Sequence, residues 1–212
     1  MEIKAAVVLE TGGKFSLEQL ELCDPNDDEV LVRIAGVGIC HTDLGARDGH
    51  LPIPPPPSVF GHEGAGVVEK VGARVTRVAP GDHVVLAWDY CGVCPACKAG
   101  KELYCLNFFL HNFHGARPDG TTTLRQGNRA IHGSFFCQSS FADFALANER
   151  NVVKVRTDVP LEILGPVSYT HLRAHETPEH HVCRLLLKKK KKTHYTHLHP
   201  FGQPAYPSVI GT

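Results

Sequence analysis

The residues best placed to do chemistry are four cysteines: Cys91, Cys94, Cys97 and Cys105, in the run Cys-Gly-Val-Cys-Pro-Ala-Cys-Lys-Ala-Gly-Lys-Glu-Leu-Tyr-Cys. Three thiols recur every third residue and the fourth follows within the same loop. Thiols this close in sequence face one point only if the backbone curls around an ion, and Gly92 and Gly100 supply the freedom to curl. Four thiolates leave no open coordination position, which is the arrangement of a closed, tetrahedral zinc site that serves structure. The other readings are disulfides, which fit a chain without a secretory leader poorly, and an iron–sulfur cluster, whose cysteine spacings differ.

A second set is Gly38-Ile39-Cys40-His41-Thr42-Asp43 followed by Gly61-His62-Glu63-Gly64. One thiolate and one imidazole suit the first two ligands of a catalytic zinc, which has three protein ligands and one open position. Alone, Cys40 and His62 read equally as a buried cysteine and a satisfied core histidine. Their neighbours favour the metal: the Thr42 hydroxyl can carry a proton, Asp43 can orient a ligand from behind, and Glu63 can swing onto the ion.

The elements that must position these groups are mostly β. Ala5–Leu9, Val30–Val37, Gly66–Val71, His83–Ala87 and Val152–Val155 are short runs rich in Val, Ile and Ala, with Gly, Pro, Asp or Asn nearby. Pro52 and Pro54–Pro57 form an extended loop. Short helices are predicted at Thr42–Arg47 and Pro95–Gly100. This pattern predicts a compact barrel or sandwich rather than a doubly wound sheet.

Composition excludes several classes. A formal net charge of +0 gives no sign of a nucleic-acid or membrane-surface partner. No apolar run approaches the roughly 20 residues that span a bilayer. The start, Met1-Glu2-Ile3-Lys4, has no apolar stretch behind a basic head. The expected compartment is the cytosol, where eight cysteines serve as metal ligands or free thiols.

Cys40-His41-Thr42-Asp43, the stretch Gly61-His62-Glu63-Gly64-Ala65-Gly66-Val67-Val68, Pro80-Gly81-Asp82-His83-Val84 and the four-cysteine lobe together resemble the zinc-dependent medium-chain alcohol dehydrogenases. The resemblance runs in register over residues 1–165. Met1–Ala6, Phe135–Phe141 and Asp158–Pro166 resemble the aryl (benzyl) alcohol dehydrogenase branch in particular. The resemblance implies a mainly β fold: a GroES-like partial β-barrel with short helices and a structural zinc lobe over about residues 88–110. It implies that Cys40 and His62 hold the catalytic zinc, with Glu63 as alternate ligand. Thr42 would pass the alcohol proton outward, and His41 would lie near the cofactor pyrophosphate. Trp88, Phe135 and Phe136 would help line an apolar substrate pocket, each as readily serving packing. It further implies NAD as hydride acceptor, a small alcohol or aldehyde as partner, and homo-oligomers in the full-length protein. Some relatives carry a histidine three residues beyond the relay hydroxyl. Gly45 stands there, so the relay would end in water, the ribose or another group; His50 could substitute, but reads rather as a solvated loop histidine.

Two requirements of that chemistry are missing. A Rossmann domain needs a strand, G-x-G-x-x-G opening a helix, and an acidic residue further on. Gly64-Ala65-Gly66 and Gly36-Val37-Gly38 lack the third glycine and read as tight backbone in the barrel. The family's third zinc ligand is a cysteine in a Gly-Cys-Gly context just past the Leu-Gly-Pro segment. Cys183, between Val182 and Arg184, has no such context.

Residues 166–212 read differently. Half of the 14 histidines lie after Gly165, and Lys188–Lys192 is an unbroken lysine run. Val167–Thr177 resembles the one-frame translation of a transposon-type sequencing adapter, and the lysine run resembles a translated poly-A stretch. This tail is therefore expected to be non-native and disordered, and a nucleic-acid or metal-binding tail is the rival reading. The expected function is the N-terminal fragment of a zinc-dependent, NAD-linked alcohol dehydrogenase oxidising primary, preferentially aromatic, alcohols to aldehydes. The fragment itself is expected to be inactive. The alternatives are a non-catalytic zinc-binding module and a polyol- or formaldehyde-type dehydrogenase of the same family.

Overall fold

The computed structural model describes residues 1–172 of the 212, with side chains through 166. The sequence predicts disorder from residue 166, but residues 166–172 continue a helix that begins at Leu161; the rest of the tail, with the lysine run and Cys183, lies outside the described residues. What is described falls within one compact unit, Met1–Glu176.

Two five-stranded sheets make up the unit, and every strand pairing within them is antiparallel. In β1 (Glu2–Val8), Ile3, Ala5 and Val7 are buried while Glu2 and Lys4 are exposed, the period-2 alternation of a half-buried strand. It pairs with β2 (Phe15–Leu22) and with β4 (Ser58–Val59). The hairpin β7 (Leu124–Gln126) and β8 (Arg129–Ile131) extends the sheet, in the order β4-β1-β2-β7-β8. The other sheet is built on β3 (Glu29–Val37), flanked by β5 (Gly64–Val71) and β9 (Phe144–Asn148), with β6 (His83–Leu86) and β10 (Val152–Lys154) beyond β5.

The interior explains why alternation fails in β3. Val30, Leu31 and Val32 are all buried, because the strand has apolar layers on both faces. Leu31 and Leu146 join Ile3, Leu20, Leu22, Val59 and Ile131 in a core contributed by both sheets. Val30, Val32, Val68, Val84 and Ala147 form a second core on the opposite face. The register of β3 against β5 shifts at Leu31/Val32 and again at Ile34/Gly36. Such irregularities bend a strand, here at the end that leads into Cys40.

Four short helices complete the unit: α1 (His41–Arg47), α2 (Pro95–Lys98), α3 (Phe108–Asn112) and α4 (Leu161–Leu172). Helix α4 packs Leu161 on Ala65 and Val85. It lies so close to β3 that a Cβ on Gly36 would fall 2.6 Å from the Glu162 Cα, so this position requires glycine.

The mainly β architecture agrees with the sequence reading, and the five predicted strands and two predicted helices are all present with ends shifted by a few residues. Strands β2, β4, β7, β8 and β9 and helices α3 and α4 had no counterpart in it. Strand β2 carries Glu18, Gln19 and Glu21, and β7 and β8 have only three residues each, so neither composition nor length marked them.

Candidate metal centres

Chain geometry in the cysteine loop forces the four thiols together. Cys94 sits just ahead of α2, with Pro95 as the first helical residue, a position where its missing N–H costs nothing. Gly92 and Gly100 adopt φ of +71° and +69°, a region L side chains rarely enter, so both bends rely on glycine. A single 3-10 turn at Glu102–Tyr104 returns the chain to Cys105. The four ligand atoms lie within 4.8 Å of one another, and none of the seven described cysteines forms a disulfide.

These thiols fit zinc. Ligands about 2.3 Å from a tetrahedral zinc stand about 3.8 Å apart. Cys91 and Cys97 have their sulfurs 3.9 Å apart and Cys94 and Cys97 3.5 Å apart. The backbone N–H groups of Cys91 and Cys94 donate to Cys105 Sγ and Cys91 Sγ, both at 3.3 Å. Burial opposes ionisation of Cys91, yet surrounding donors outweigh it and lower its thiol to about 6. Burial, reinforced by the neighbouring thiols, pushes Cys97 up to about 12. Four sulfurs this close cannot all ionise unless a cation sits among them.

A polar bolt that sequence reasoning missed fastens this lobe to the barrel. Asp89, 2% exposed, accepts two hydrogen bonds from Arg150 at 3.1 Å and lies 2.8 Å from His111 Nδ1. Burial raises the Asp89 carboxyl, but the His111 and Arg150 hydrogen bonds outweigh it and hold the group below the usual carboxylate range. Asn112 accepts from the Asp89 N–H at 2.9 Å and donates to the Asp89 and Phe108 carbonyls, each at 2.8 Å. No spacing in the sequence links residues 89, 111, 112 and 150.

The second set is assembled from two separate turns. Cys40 precedes α1, and His62 and Glu63 precede β5; their ligand atoms also lie within 4.8 Å of one another. Asp43, fully buried, joins the turns. One carboxylate oxygen accepts from the Cys40 N–H at 3.0 Å. The other accepts from the Gly61 N–H at 3.0 Å and lies 3.0 Å from His62 Nδ1. That carboxylate calls for a proton on Nδ1, which leaves Nε2 with its lone pair as a ligand atom. Nε2 is 3.9 Å from Glu63 Oε1. Burial raises the Glu63 carboxyl above its ordinary value, His62 lowers it less, and Asp43 adds to the rise. Thiolate, imidazole and carboxylate around one point fit a divalent zinc with room for a further ligand.

The remaining predicted residues distribute unevenly. The Thr42 hydroxyl lies 3.6 Å from Cys40 Sγ and is half-buried. His41 is exposed at the start of α1, and His50 is exposed beyond its end. Gly45 faces open space, with nothing within 4 Å of a Cβ built there. Phe136 stacks on the His62 ring at 4.7 Å and Phe135 meets it edge-on at 5.8 Å, so both walls stand at the second centre. Trp88 belongs to the same apolar cluster but turns toward the lobe, contacting Tyr90 at 6.0 Å and Phe108 at 6.1 Å. Gly64 and Gly66 lie in β5, where a Cβ on Gly66 would fall 2.1 Å from the Arg33 carbonyl oxygen; close strand pairing accounts for the glycine.

A five-stranded pair of curled sheets, a four-thiol lobe and a Cys–His–Glu cluster define a zinc-binding barrel domain of the dehydrogenase type. Residues 26–157 match the alcohol dehydrogenase GroES-like domain, and the chain belongs to that family. It is 48% identical to geraniol dehydrogenase of Castellaniella defragrans over 165 residues, 77% of this chain and 44% of that protein. It is similar to the crystal structure of an alcohol dehydrogenase zinc-binding domain protein from Burkholderia ambifaria. Identity there is 50% and the TM-score 0.76, covering 79% of this chain and 45% of that one. Benzyl alcohol dehydrogenase from Acinetobacter calcoaceticus superposes with a TM-score of 0.74 at 47% identity, covering 79% of this chain and 44% of that one. The chain thus spans under half the length of these relatives. No helix among the described residues is long and apolar enough to cross a membrane.

Proposed function

We propose that this chain is the metal-binding catalytic domain of a zinc-dependent alcohol dehydrogenase that oxidises primary, preferentially aromatic, alcohols with a nicotinamide cofactor. The observation that carries this reading is the convergence of Cys40, His62 and Glu63 against two phenylalanine rings, with Asp43 reserving His62 Nε2. Zinc held by these residues supplies Lewis acidity that lowers the pKa of a bound alcohol, and nicotinamide supplies the hydride acceptor. The chain's own residues do the rest. Cys40 and His62 hold the ion and Glu63 is its alternate ligand. Thr42, beside Cys40, takes the hydroxyl proton and passes it outward. His41, exposed at the start of α1, would meet the cofactor phosphates. Phe135 and Phe136 exclude water and offer an apolar surface to an aromatic ring, while Trp88 borders the same cluster from the lobe side. The lobe at Cys91, Cys94, Cys97 and Cys105 holds a second, structural zinc. Thiolate ligands kept reduced suit the cytosol.

The native domain is proposed to end at residue 165, with 166–212 foreign sequence, because the family resemblance stops there and the adapter-like run begins at Val167. By itself the chain is proposed to be inactive, since the described residues contain no dinucleotide fold. That same feature is what favours the competing reading, a non-catalytic zinc-binding module. Amplifying the gene from source DNA across codon 166 and assaying its full product decides between them. Zinc-dependent oxidation of benzyl alcohol over polyols and formaldehyde adducts is expected. A zinc-loaded full product with no nicotinamide turnover overturns the catalytic reading. Turnover of benzyl alcohol by the 212-residue chain overturns its predicted inactivity.

A further inference from the structure

One buried side chain ties the second metal centre to its aromatic wall, and no part of the sequence reading singled it out. Gln138, 2% exposed, spends its whole amide on backbone. Its Oε1 accepts from the Gly64 N–H at 3.0 Å, and its Nε2 donates to the His62 carbonyl at 2.9 Å and the Ala87 carbonyl at 3.2 Å. The residues it grips are His62 itself, the entry to β5, and the residue before Trp88. The fit is close: a Cβ on Gly64 would lie 3.1 Å from Gln138 Oε1 and 2.7 Å from Ser140 Cβ.

The segment carrying Gln138 also carries the wall. Ser134, Phe136, Cys137 and Ser139 all have φ between 47° and 57°, a conformation L residues enter at a cost. Something must hold it, and buried amides do. Asn151 Nδ2 donates to the Ala87 carbonyl at 2.9 Å, with Cys137 and Phe136 carbonyls at 3.3 and 3.4 Å. Ser139 Oγ accepts from the Phe135 N–H at 2.9 Å and donates to the Val59 carbonyl at 2.7 Å. The Gln138 amide reaches from this segment to the backbone of a proposed ligand, His62.

We infer that Gln138 is a positioning residue: its amide sets the register between the His62 ligand and the Phe135–Phe136 wall, and so the geometry and affinity of the second metal centre. The inference rests on reading Cys40, His62 and Glu63 as a metal centre. It concerns no contact between Gln138 and the ion, since all three of its hydrogen bonds end on backbone.

The test uses the 212-residue chain with zinc filling the four-thiol lobe and cobalt(II) titrated into the remaining site, read by ligand-field absorption. Gln138→Met keeps the volume and removes all three hydrogen bonds. Ser139→Ala removes two buried bonds of the same segment, from the Phe135 N–H and to the Val59 carbonyl, but none to the His62 backbone, and serves as the control for general loosening. Gln138→Met is expected to weaken cobalt binding about 10-fold, the lower end for lost support behind a ligand, and to shift the ligand-field bands. Ser139→Ala is expected to lower the thermal midpoint while leaving bands and affinity as in the wild type. An unchanged site in folded Gln138→Met overturns the inference, as does an equal loss in Ser139→Ala. If Gln138→Met does not fold, Gln138→Glu, which keeps the acceptor for Gly64 and loses both donors, replaces it under the same criteria. Failure of the zinc-loaded wild type to take up cobalt overturns the metal-centre reading itself, and this inference with it.

Discussion

The lobe and the second centre differ in how their ligands are brought together. The lobe takes Cys91, Cys94, Cys97 and Cys105 from one loop, which glycines at positive φ and a single turn fold back on itself. The second centre takes Cys40 from the turn before α1 and His62 and Glu63 from the turn before β5, and Asp43 holds the two turns in contact. One site is complete within a local segment and uses four identical ligands. The other depends on the barrel to bring its groups together, and as proposed it would mix ligand types and keep a position open. A site that closes on itself suits structure, and one that the fold assembles can be tuned by the fold.

The largest effect that would break this contrast is at the lobe ligands. Cys97→Ser should weaken the tightly held zinc by at least about 100-fold, given the large binding energy shared among four thiolates. Cys40→Ser should leave that zinc in place. Metal content per chain after dialysis against a chelator reads both; equal zinc loss in the two variants would mean the sites are one cooperative unit.

Next comes the wall that rigidifies the second centre. Phe136, 7% exposed, packs on His62, Phe113 and Phe135. Phe136→Ala should cost about 4 kcal/mol in urea unfolding, with loss of the second metal but retention of the lobe zinc.

Asp89 tests whether the lobe is bolted on or merely adjacent. Asp89→Asn should cost about 3 kcal/mol, because it breaks a buried pair with Arg150 and His111. The sign with pH follows from the lowered carboxyl. Its folded pKa lies below the unfolded value near about 3.9, so its stabilisation is present above that pH and disappears as pH falls through the folded value. Thermal melts of wild type and Asp89→Asn should therefore converge on acidification; a gap that stays constant would refute the assignment.

The smallest effect is expected at Gly38, where a Cβ would fall 2.0 Å from Glu63 Oε2, and 2.9 Å from the Pro166 Cα of α4. Gly38→Ala should cost about 1 kcal/mol in denaturant unfolding and displace the carboxylate, changing cobalt absorption at the second centre only. Altered lobe absorption would show that the two regions are not independent.

Much of this is legible in the sequence. The lobe could be read whole, because its ligands and its glycine bends lie in one short stretch. Cys40, His62, Glu63 and Asp43 stood out through their neighbours, and β1, β3, β5, β6 and β10 through runs of Val, Ile and Ala. Strands β2, β7 and β8 did not, since pairing partners rather than propensity create them. Asp89, Asn112, Gln138, Arg150 and Asn151 were invisible for a related reason: each bonds to residues far along the chain.

The sequence by itself determined the ligand types, the curl of the lobe and the family to which the chain belongs. These depend on side-chain chemistry and on spacing within a few residues, which the chain carries regardless of its fold. Only the tertiary structure decided that Asp43 points His62 Nε2 toward Cys40 and Glu63, that Phe136 lies on that imidazole, and that Gln138 holds the ligand backbone. Those relations are hydrogen bonds and ring contacts between distant segments, and they exist only once two sheets have closed on a shared core and buried the polar groups that must then find partners.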